Sequence, residues 1–490
     1  MFSRAVSQTD DLTPHLARTY FGNEKEKTVL NIIYSKVKPP GRQQGYFPVD
    51  LTEETMKEHF RKVMEKMREQ ALDALVIYGD REHGANFAYL TGFEPRFEEA
   101  LLVLHRNEKA YLVLGNENLK MCRYSFVKAE LIHCPYFSLP CQPMIPEKPM
   151  KTFMEEAGLK DGMKIGCCGW KYFTSACQDN QKTFDIPSFI IEAIREAAPG
   201  SSLVNAGGIF LDPANGARHR MNGNEIAHYE FAAGLASSRV REALDAVAPG
   251  KTEMEIAHCL AAFGQPITIT TIAAAGERFT NGVVFPRNKK ISLGDKFSLT
   301  LGLRGGSSSR AAIVAESKED LPEGEKDYIE RIAAPYFKAA AVWYETVGIG
   351  VSGGELYETI EKVLPKEQYH WTLNPGHYTD QEEWSSSPVY KGSRAVLGSG
   401  MLLQMDIIPS VPGYSGVGAE DGIAIADEKL RSELREKYPE TWRRFQDRRE
   451  YMKEELGIRL KEEILPMSDL CGYLRPLLLN HEYALKVENR

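Results

Sequence analysis

Residues 224–256 read NEIAHYEFAAGLASSRVREALDAVAPGKTEMEI. Apolar residues recur every three or four positions, the spacing of one helix face, and Pro249–Gly250 stops the run. Thr252 then stands three residues before Glu255, a capping-box pair, so a second helix is expected over 251–264. The scheme returns at 341–364, AVWYETVGIGVSGGELYETIEKVL: helix, valine, glycine turn, then a helix with glutamate in its first turn. Two such copies, each followed by strand-like runs, predict a pseudo-twofold domain whose sheet is enclosed by helices.

Between the copies lies GDKFSLTLGLRGGSSSRAAI, residues 294–313. It reads as Gly-Asp, a β run, a glycine-rich turn and a second β run. Neither run carries a carboxylate. Further on come NPGHYTD (374–380), GMLLQMDIIP (400–409) and GVGAEDGIAI (416–425), each placing a histidine or acid in or beside a strand-like segment.

Upstream, LTEETMKEHFRKVMEKMREQAL (51–72) sets Met56, Phe60, Val63, Met64 and Met67 at helical spacing. Thr52 is its expected N-cap, with Glu53 and Glu54 in the first turn. DALVIYG (73–79) and MKIGCCG (163–169) read as strands. EEALLVLHRNEKAYLVLG (98–115) reads as two strands about a polar turn at Arg106–Lys109, and SFIIEAIREAAPG (188–200) as an amphipathic helix. Alternating strands and helices predict an α/β first domain. Residues 200–222 are rich in Gly, Pro and Asn and mark a boundary. The expected organisation is an N-terminal arm (1–50), an α/β domain (51–205), a second domain (222–430) and a charged helical extension (431–490). The run LPMSDLCGYLRPLLLN within that extension is apolar enough to dock.

A chain of 490 residues favours more than one core. A net charge of −8 argues against nucleic-acid or anionic-membrane partners, which need a basic face. No apolar run approaches the roughly 18 residues of a membrane span. The first residues lack the apolar core of a signal peptide, so a cytoplasmic location is expected. The eight cysteines form no CxxC pair and are expected to be reduced, mostly buried thiols.

In their order and spacing, these segments resemble the pita-bread catalytic domain of the family that includes methionine aminopeptidase, aminopeptidase P, prolidase and creatinase. DALVIYGDREHGANFAYLTGF (73–93) is similar to the creatinase/prolidase N-terminal domain. The resemblance implies an α/β N-terminal domain of that type plus an α+β pita-bread domain with pseudo-twofold symmetry. By analogy with two-domain relatives, it also implies a homodimer.

Metal-dependent members of that family hold two ions through two aspartates on adjacent strands, one histidine and two glutamates. Counted from Gly294–Asp295, the aspartate positions fall on Thr300 and Ala311. The histidine matches His377. The glutamates match Asp406, one methylene shorter, and Glu420. The family's second catalytic histidine falls on Trp384, and its upstream substrate histidine near Gly282–Val283. A water bridged between two ions is therefore not supported, since anionic bridges offset the charge of such a pair.

Creatinase, which works without metal, supplies the main expectation. It is a metal-independent hydrolase, with no cofactor, cleaving a C–N bond of a small carboxylate-bearing compound. His377 moves the proton, and Asp406 and Glu420 orient the substrate. Arg278, Arg287, Arg304 and Arg310 lie in the segments expected to wall the pocket, so an anionic small molecule is the expected partner. Arg310 holds its carboxylate, and Arg278, Arg287, Ser308, Thr300 and Asp380 are further contacts. His83 and Arg96 would reach in from the charged loop GDREHGANFAYLTGFEPRFEE (79–99). One alternative is an Xaa-Pro aminopeptidase or dipeptidase with a single weak divalent ion on His377, Asp406 and Glu420. The other is a non-catalytic small-molecule or peptide-binding member.

Overall fold

The computed structural model describes residues 30–41, 47–95, 97–281 and 285–488. Its strands in the first half are β1 (Ile32–Lys36), β2 (Ala74–Gly79), β3 (Ala100–His105), β4 (Ala110–Leu114), β5 (Glu130–His133), β6 (Lys164–Cys168) and β7 (Ser202–Asn205). In the second half they are β8 (Ile272–Ala275), β9 (Lys296–Leu303), β10 (Gly306–Ile313), β11 (His377–Tyr378), β12 (Leu402–Met405), β13 (Gly418–Ile425), β14 (Ile464–Pro466) and β15 (Tyr483–Val487).

The first domain is a mixed sheet in the order β5-β4-β3-β2-β6-β7. Its centre, β2, pairs antiparallel with β3 and parallel with β6. Every residue of β2, β3 and β4 is buried. That explains their uninterrupted apolar runs, because helices cover both faces. Val63, Met64 and Met67 of the helix Glu53–Glu69 belong to one core, and Phe153, Ile190 and Ile194 to the other. The first helix starts where expected, with the Thr52 side chain accepting from the Thr55 amide.

The second domain is an antiparallel sheet in the order β11-β12-β13-β10-β9-β8, with β14 also paired to β13. The β13–β10 pair stands at its centre, with two strands on either side along this order. The echo in the sequence is repeated in the backbone at an offset of one hundred residues. Gly250 and Gly350 take φ of 88° and 86°. Their amides donate to Ile291 at 2.8 Å and Leu397 at 3.0 Å. Capping boxes follow at Thr252/Glu255 and Ser352/Glu355. The long helix Gly223–Ala246 packs on β9 and β10.

The expected second helix over 251–264 is shorter than its sequence suggests. An α-helix spans only Glu253–Ala257, then a 3-10 turn His258–Leu260. Beyond it, Thr268 donates to Gly302 at 3.0 Å and Ile267 bridges to Leu303. Pairing along the edge of β9 therefore overrides local helix propensity.

The C-terminal extension is built into this domain. Arg444 and Arg448 of the helix Pro439–Glu454 both pair with Glu230 on the long helix. β15 pairs with β1, so residues 32–36 of the expected arm form a ribbon with the other end of the chain. All eight cysteines are free, and Cys134, Cys167, Cys168 and Cys471 are buried. Among the described residues no helix is long and apolar enough to cross a membrane.

A buried histidine among three carboxylates

Register decides which side chains meet. His377 pairs with Gln404, Gln404 with Gly422, and Ser309 with both Thr300 and Glu420. Directly opposed residues share a sheet face, as do alternate residues along a strand. His377, Gln404, Glu420, Ser309, Ser307 and Thr300 therefore line one face, and Asp406 extends it past the end of β12. Gly376 makes the approach possible. Its φ is 132°, and a Cβ there would lie 2.9 Å from the Gln404 carbonyl.

His377 is fully buried. Its Nδ1 lies 3.2 Å from the Tyr378 carbonyl, and Trp384 stacks on the ring with centroids 4.0 Å apart. Its Nε2 faces Glu383 Oε1 at 3.6 Å, Glu420 Oε1 at 3.7 Å and Asp406 Oδ2 at 3.9 Å. That nitrogen is buried and makes no hydrogen bond. Glu420 Oε1 also accepts from Ser307 Oγ at 2.7 Å and Gln404 Nε2 at 3.1 Å.

Burial opposes charge on His377, but Glu420, Glu383 and Asp406 outweigh it and push its pKa up to about 9. Burial and the neighbouring Glu420 raise Glu383 to about 7. Burial, then the Glu420 charge, holds Asp406 well above the usual carboxylate range. Glu420 goes the other way. Burial would raise it, but His377, Ser307 and Gln404 together hold it low. The cluster thus carries more acid than its one histidine balances, which favours the protonated forms of Asp406 and Glu383.

The donor set suits one divalent cation. His377 Nε2 and oxygens of Glu383 and Glu420 all lie within 4.8 Å of one another. Nitrogen and carboxylate donors match first-row divalent ions. The ring's other nitrogen rests on a backbone carbonyl, the usual arrangement behind a metal-bound imidazole. A two-ion centre does not fit. The resemblance calls for aspartates at Thr300 and Ala311; Thr300 Oγ1 instead shares a hydrogen bond of 2.8 Å with Ser309 Oγ, and the Ala311 side chain offers no donor atom. Ser309, not Ala311, stands opposite both Thr300 and Glu420; Ala311 stands opposite Ser298 and Gly418.

His377, Asp406 and Glu420 are brought together as expected, with Thr300 on the same face. Arg310 is a correction. It is one residue out of phase with Ser309, so it points to the opposite face. There it is buried, donating to Asp421 Oδ2 at 2.6 Å, the Tyr473 carbonyl at 2.8 Å and the Ser309 carbonyl at 2.7 Å. Ser308 shares that face and donates to Asp421 at 3.0 Å. Neither lines the His377 cluster.

Arg278 is also engaged elsewhere, donating to Glu253 Oε1 at 3.0 Å. The Arg287 amide donates to Glu253 at 2.8 Å, and its guanidinium lies over Phe285. Arg304 pairs with Glu94. The Asp380 carboxylate is taken by Arg218, at 2.8 Å from its Nε. His83 stacks on Trp170 with centroids 4.3 Å apart and lies 3.5 Å from Asp80. Arg96 and Gly282–Val283 lie outside the described residues. Among the described residues the expected anion pocket is not assembled, and the ion-pair partners facing His377 Nε2 are acids.

Glu383, Gln404 and Arg218 were not foreseen. The run DQEEW at 380–384, three acids directly after the histidine turn, was the available signal for Glu383. The alternation of Ser307 and Ser309 with Ser308 and Arg310 was the signal for the two faces.

Comparison with known proteins agrees with this architecture. Residues 60–211 match the Creatinase/Prolidase N-terminal domain family. No curated protein matches the chain by sequence. Among solved structures it is similar to the prolidase from Pyrococcus horikoshii, with a TM-score of 0.59 and 20% identity over 75% of this chain and 95% of that one. It is similar to the recombinant prolidase from Thermococcus sibiricus, with a TM-score of 0.60 and 17% identity over 78% and 96%. It is also similar to the X-Pro aminopeptidase from Thermotoga maritima, with a TM-score of 0.57 and 14% identity over 75% and 95%. The first domain is thus of the creatinase/prolidase N-terminal type, and the second has the pita-bread fold.

Proposed function

We propose that this chain is a hydrolase that cleaves a C–N bond in a small peptide-like compound, of the Xaa-Pro dipeptidase kind, at a centre holding one divalent cation on His377 and Glu420. The observation that carries the reading is the charge imbalance. Three carboxylates converge on one buried imidazole whose Nε2 has no hydrogen-bond partner. A cation relieves the repulsion among these three carboxylates.

A bound divalent ion supplies Lewis-acid polarisation of a carbonyl and a more acidic water. The chain's own residues do the rest. Ser307 and Gln404 keep Glu420 ionised and aimed at the centre. Trp384 fixes the imidazole plane. Asp406, held in its protonated form by burial and by Glu420, is the acid positioned to exchange a proton with the leaving amine. An acid-lined centre favours a substrate that enters with an amide or amine end.

A second reading has one observation in its favour. Even with no ion, the three acids hold His377 protonated up to about 9, so it is able to donate a proton as in a metal-independent, creatinase-like hydrolase. The two separate on turnover of an Xaa-Pro dipeptide panel with and without chelator. Turnover lost with chelator and restored by Mn²⁺ supports the first reading. Turnover indifferent to chelator and lost in His377→Ala supports the second. Binding without turnover under any metal condition leaves neither standing.

A further inference from the structure

The inference that follows rests on the single-cation reading and extends it. We propose that Glu383 is the ligand that replaces the missing strand acids, and that Arg218, at the junction of the two domains, is the positioning residue that aims it.

The loop after β11 carries three acids, Asp380, Glu382 and Glu383. Two of them are consumed by one guanidinium. Arg218 is fully buried and donates to Asp380 Oδ2 at 2.8 Å, Asp380 Oδ1 at 2.5 Å and Glu382 Oε2 at 2.8 Å. The third acid is left to face His377 at 3.6 Å. The loop is tied down around it. The Glu382 amide donates to Asp380 Oδ1 at 3.1 Å, and the Gly305 amide, in the β9–β10 turn, donates to the Asp380 carbonyl at 2.5 Å. The Tyr378 amide donates to Ser386 at 2.7 Å, closing the loop at its base.

Two independent features point to a ligand within this arrangement. His377 Nε2 is buried, lacks a hydrogen bond and is directed at Glu383 and Glu420. The residues on β9 and β10 that face Glu420 offer hydroxyls and no carboxylate: Ser307 donates to Glu420, and Thr300 and Ser309 satisfy each other. An acid delivered from the loop restores a charge that the strands no longer supply.

Arg218 also links the centre to the first domain. Its Nη1 donates to Asn86 Oδ1 at 2.7 Å, and Asn86 in turn donates to the Gly169 carbonyl at 2.7 Å. The docking of one domain on the other therefore sets where Glu383 sits.

The test is titration of metal-stripped full-length protein with Mn²⁺, by calorimetry and electron paramagnetic resonance. The unaltered chain is expected to bind one Mn²⁺. Glu383→Gln is expected to weaken binding at least tenfold with an unchanged melting temperature in the stripped state. Arg218→Lys is expected to weaken it about 10- to 100-fold, the range for groups that orient ligands. Glu382→Gln, which keeps a hydrogen bond to Arg218, serves if Arg218→Lys does not fold, and is expected to weaken binding less. If the unaltered chain binds no Mn²⁺, the single-cation reading falls and takes this inference with it. If it binds one ion and Glu383→Gln binds it equally well, the Glu383 assignment alone is wrong. If Glu383→Gln weakens binding but the Arg218 and Glu382 variants do not, the positioning role is wrong. Two Mn²⁺ per chain would overturn the replacement of the strand acids.

Discussion

Trp384 lies flat over His377, with ring centroids 4.0 Å apart and planes within 14°. The indole occupies the sequence position where the family resemblance implies a second catalytic histidine. An indole cannot carry a proton there; it clamps the imidazole. Stacking of this kind contributes about 0.5–1.5 kcal/mol beyond burial and restricts the imidazole to one plane. Replacing Trp384 with Ala frees the ring. The expected outcome is Mn²⁺ binding weakened about tenfold with little loss of secondary structure, read by calorimetry and circular dichroism. Unchanged affinity would show that the stack does not orient the ligand.

The absent strand acids can be put back. Thr300 and Ser309 are directly opposed and already within hydrogen-bond contact, 2.8 Å between hydroxyls. The double variant Thr300→Asp with Ser309→Asp adds two charges to a face that already holds Glu420. Without metal it should be less stable than the parent, because like charges repel at short range. With excess Mn²⁺ it should bind two ions per chain in place of one, counted by elemental analysis after desalting.

Arg310 is a structural residue in this fold. It is buried, and with Ser308 and Ser468 it satisfies the buried Asp421. Arg310→Met leaves Asp421 as an unpaired buried charge, a change that costs about 3–5 kcal/mol. Urea unfolding should show that loss. A variant that kept its stability but lost affinity for an anionic ligand would return Arg310 to the site.

Acidification should find a weak point at His219. It is buried, stacks on Tyr378 at 3.9 Å and directs Nδ1 to the Asp212 carbonyl at 3.0 Å. Burial lowers its pKa to about 4; Asp380 opposes that shift, while Arg218 and Arg220 add to it. Above about 6.5 the ring is neutral in both folded and unfolded chains and contributes nothing to pH dependence. Between about 6.5 and 4 only the unfolded chain takes the proton, so stability falls by up to about 3 kcal/mol. The urea midpoint should drop across that window, and the drop should be smaller in His219→Asn. Equal drops in the two proteins would assign the acid sensitivity elsewhere.

Gly376 has no substitute at its position. Alanine there needs a φ of 132° and puts Cβ 2.9 Å from the Gln404 carbonyl and 3.2 Å from Trp343. Backbone strain of this kind costs on the order of 1–3 kcal/mol. The next residue is His377, so the shift moves the imidazole directly. Gly376→Ala is expected to lower the melting temperature and to abolish Mn²⁺ binding; full binding would mean the turn relaxes without disturbing the histidine.

Much of the architecture was legible because it is written in local periodicity. The Thr252/Glu255 capping box, the echo at 341–364 and the apolar runs of β2 to β4 depend on neighbours a few residues apart, and the structure shows each of them. The second helix was the exception. Its continuation was overruled by strand pairing at Ile267 and Thr268, partners more than thirty residues away in sequence.

The meeting of His377, Asp406 and Glu420 was visible in the order of the segments. The sign of the charge around them was not. It turns on a register of one residue, since Ser309 and Arg310 adjoin in the chain but occupy opposite faces of β10. It turns also on Arg218 reaching Asp380 and Glu382 across more than 160 positions, which leaves Glu383 for the histidine. Sequence alone determined where most helices and strands lie, because side-chain spacing and helix caps act over one or two turns. Only the tertiary structure decided which charges cancel and which remain. Cancellation depends on distance in space, and a strand reverses its face with every residue.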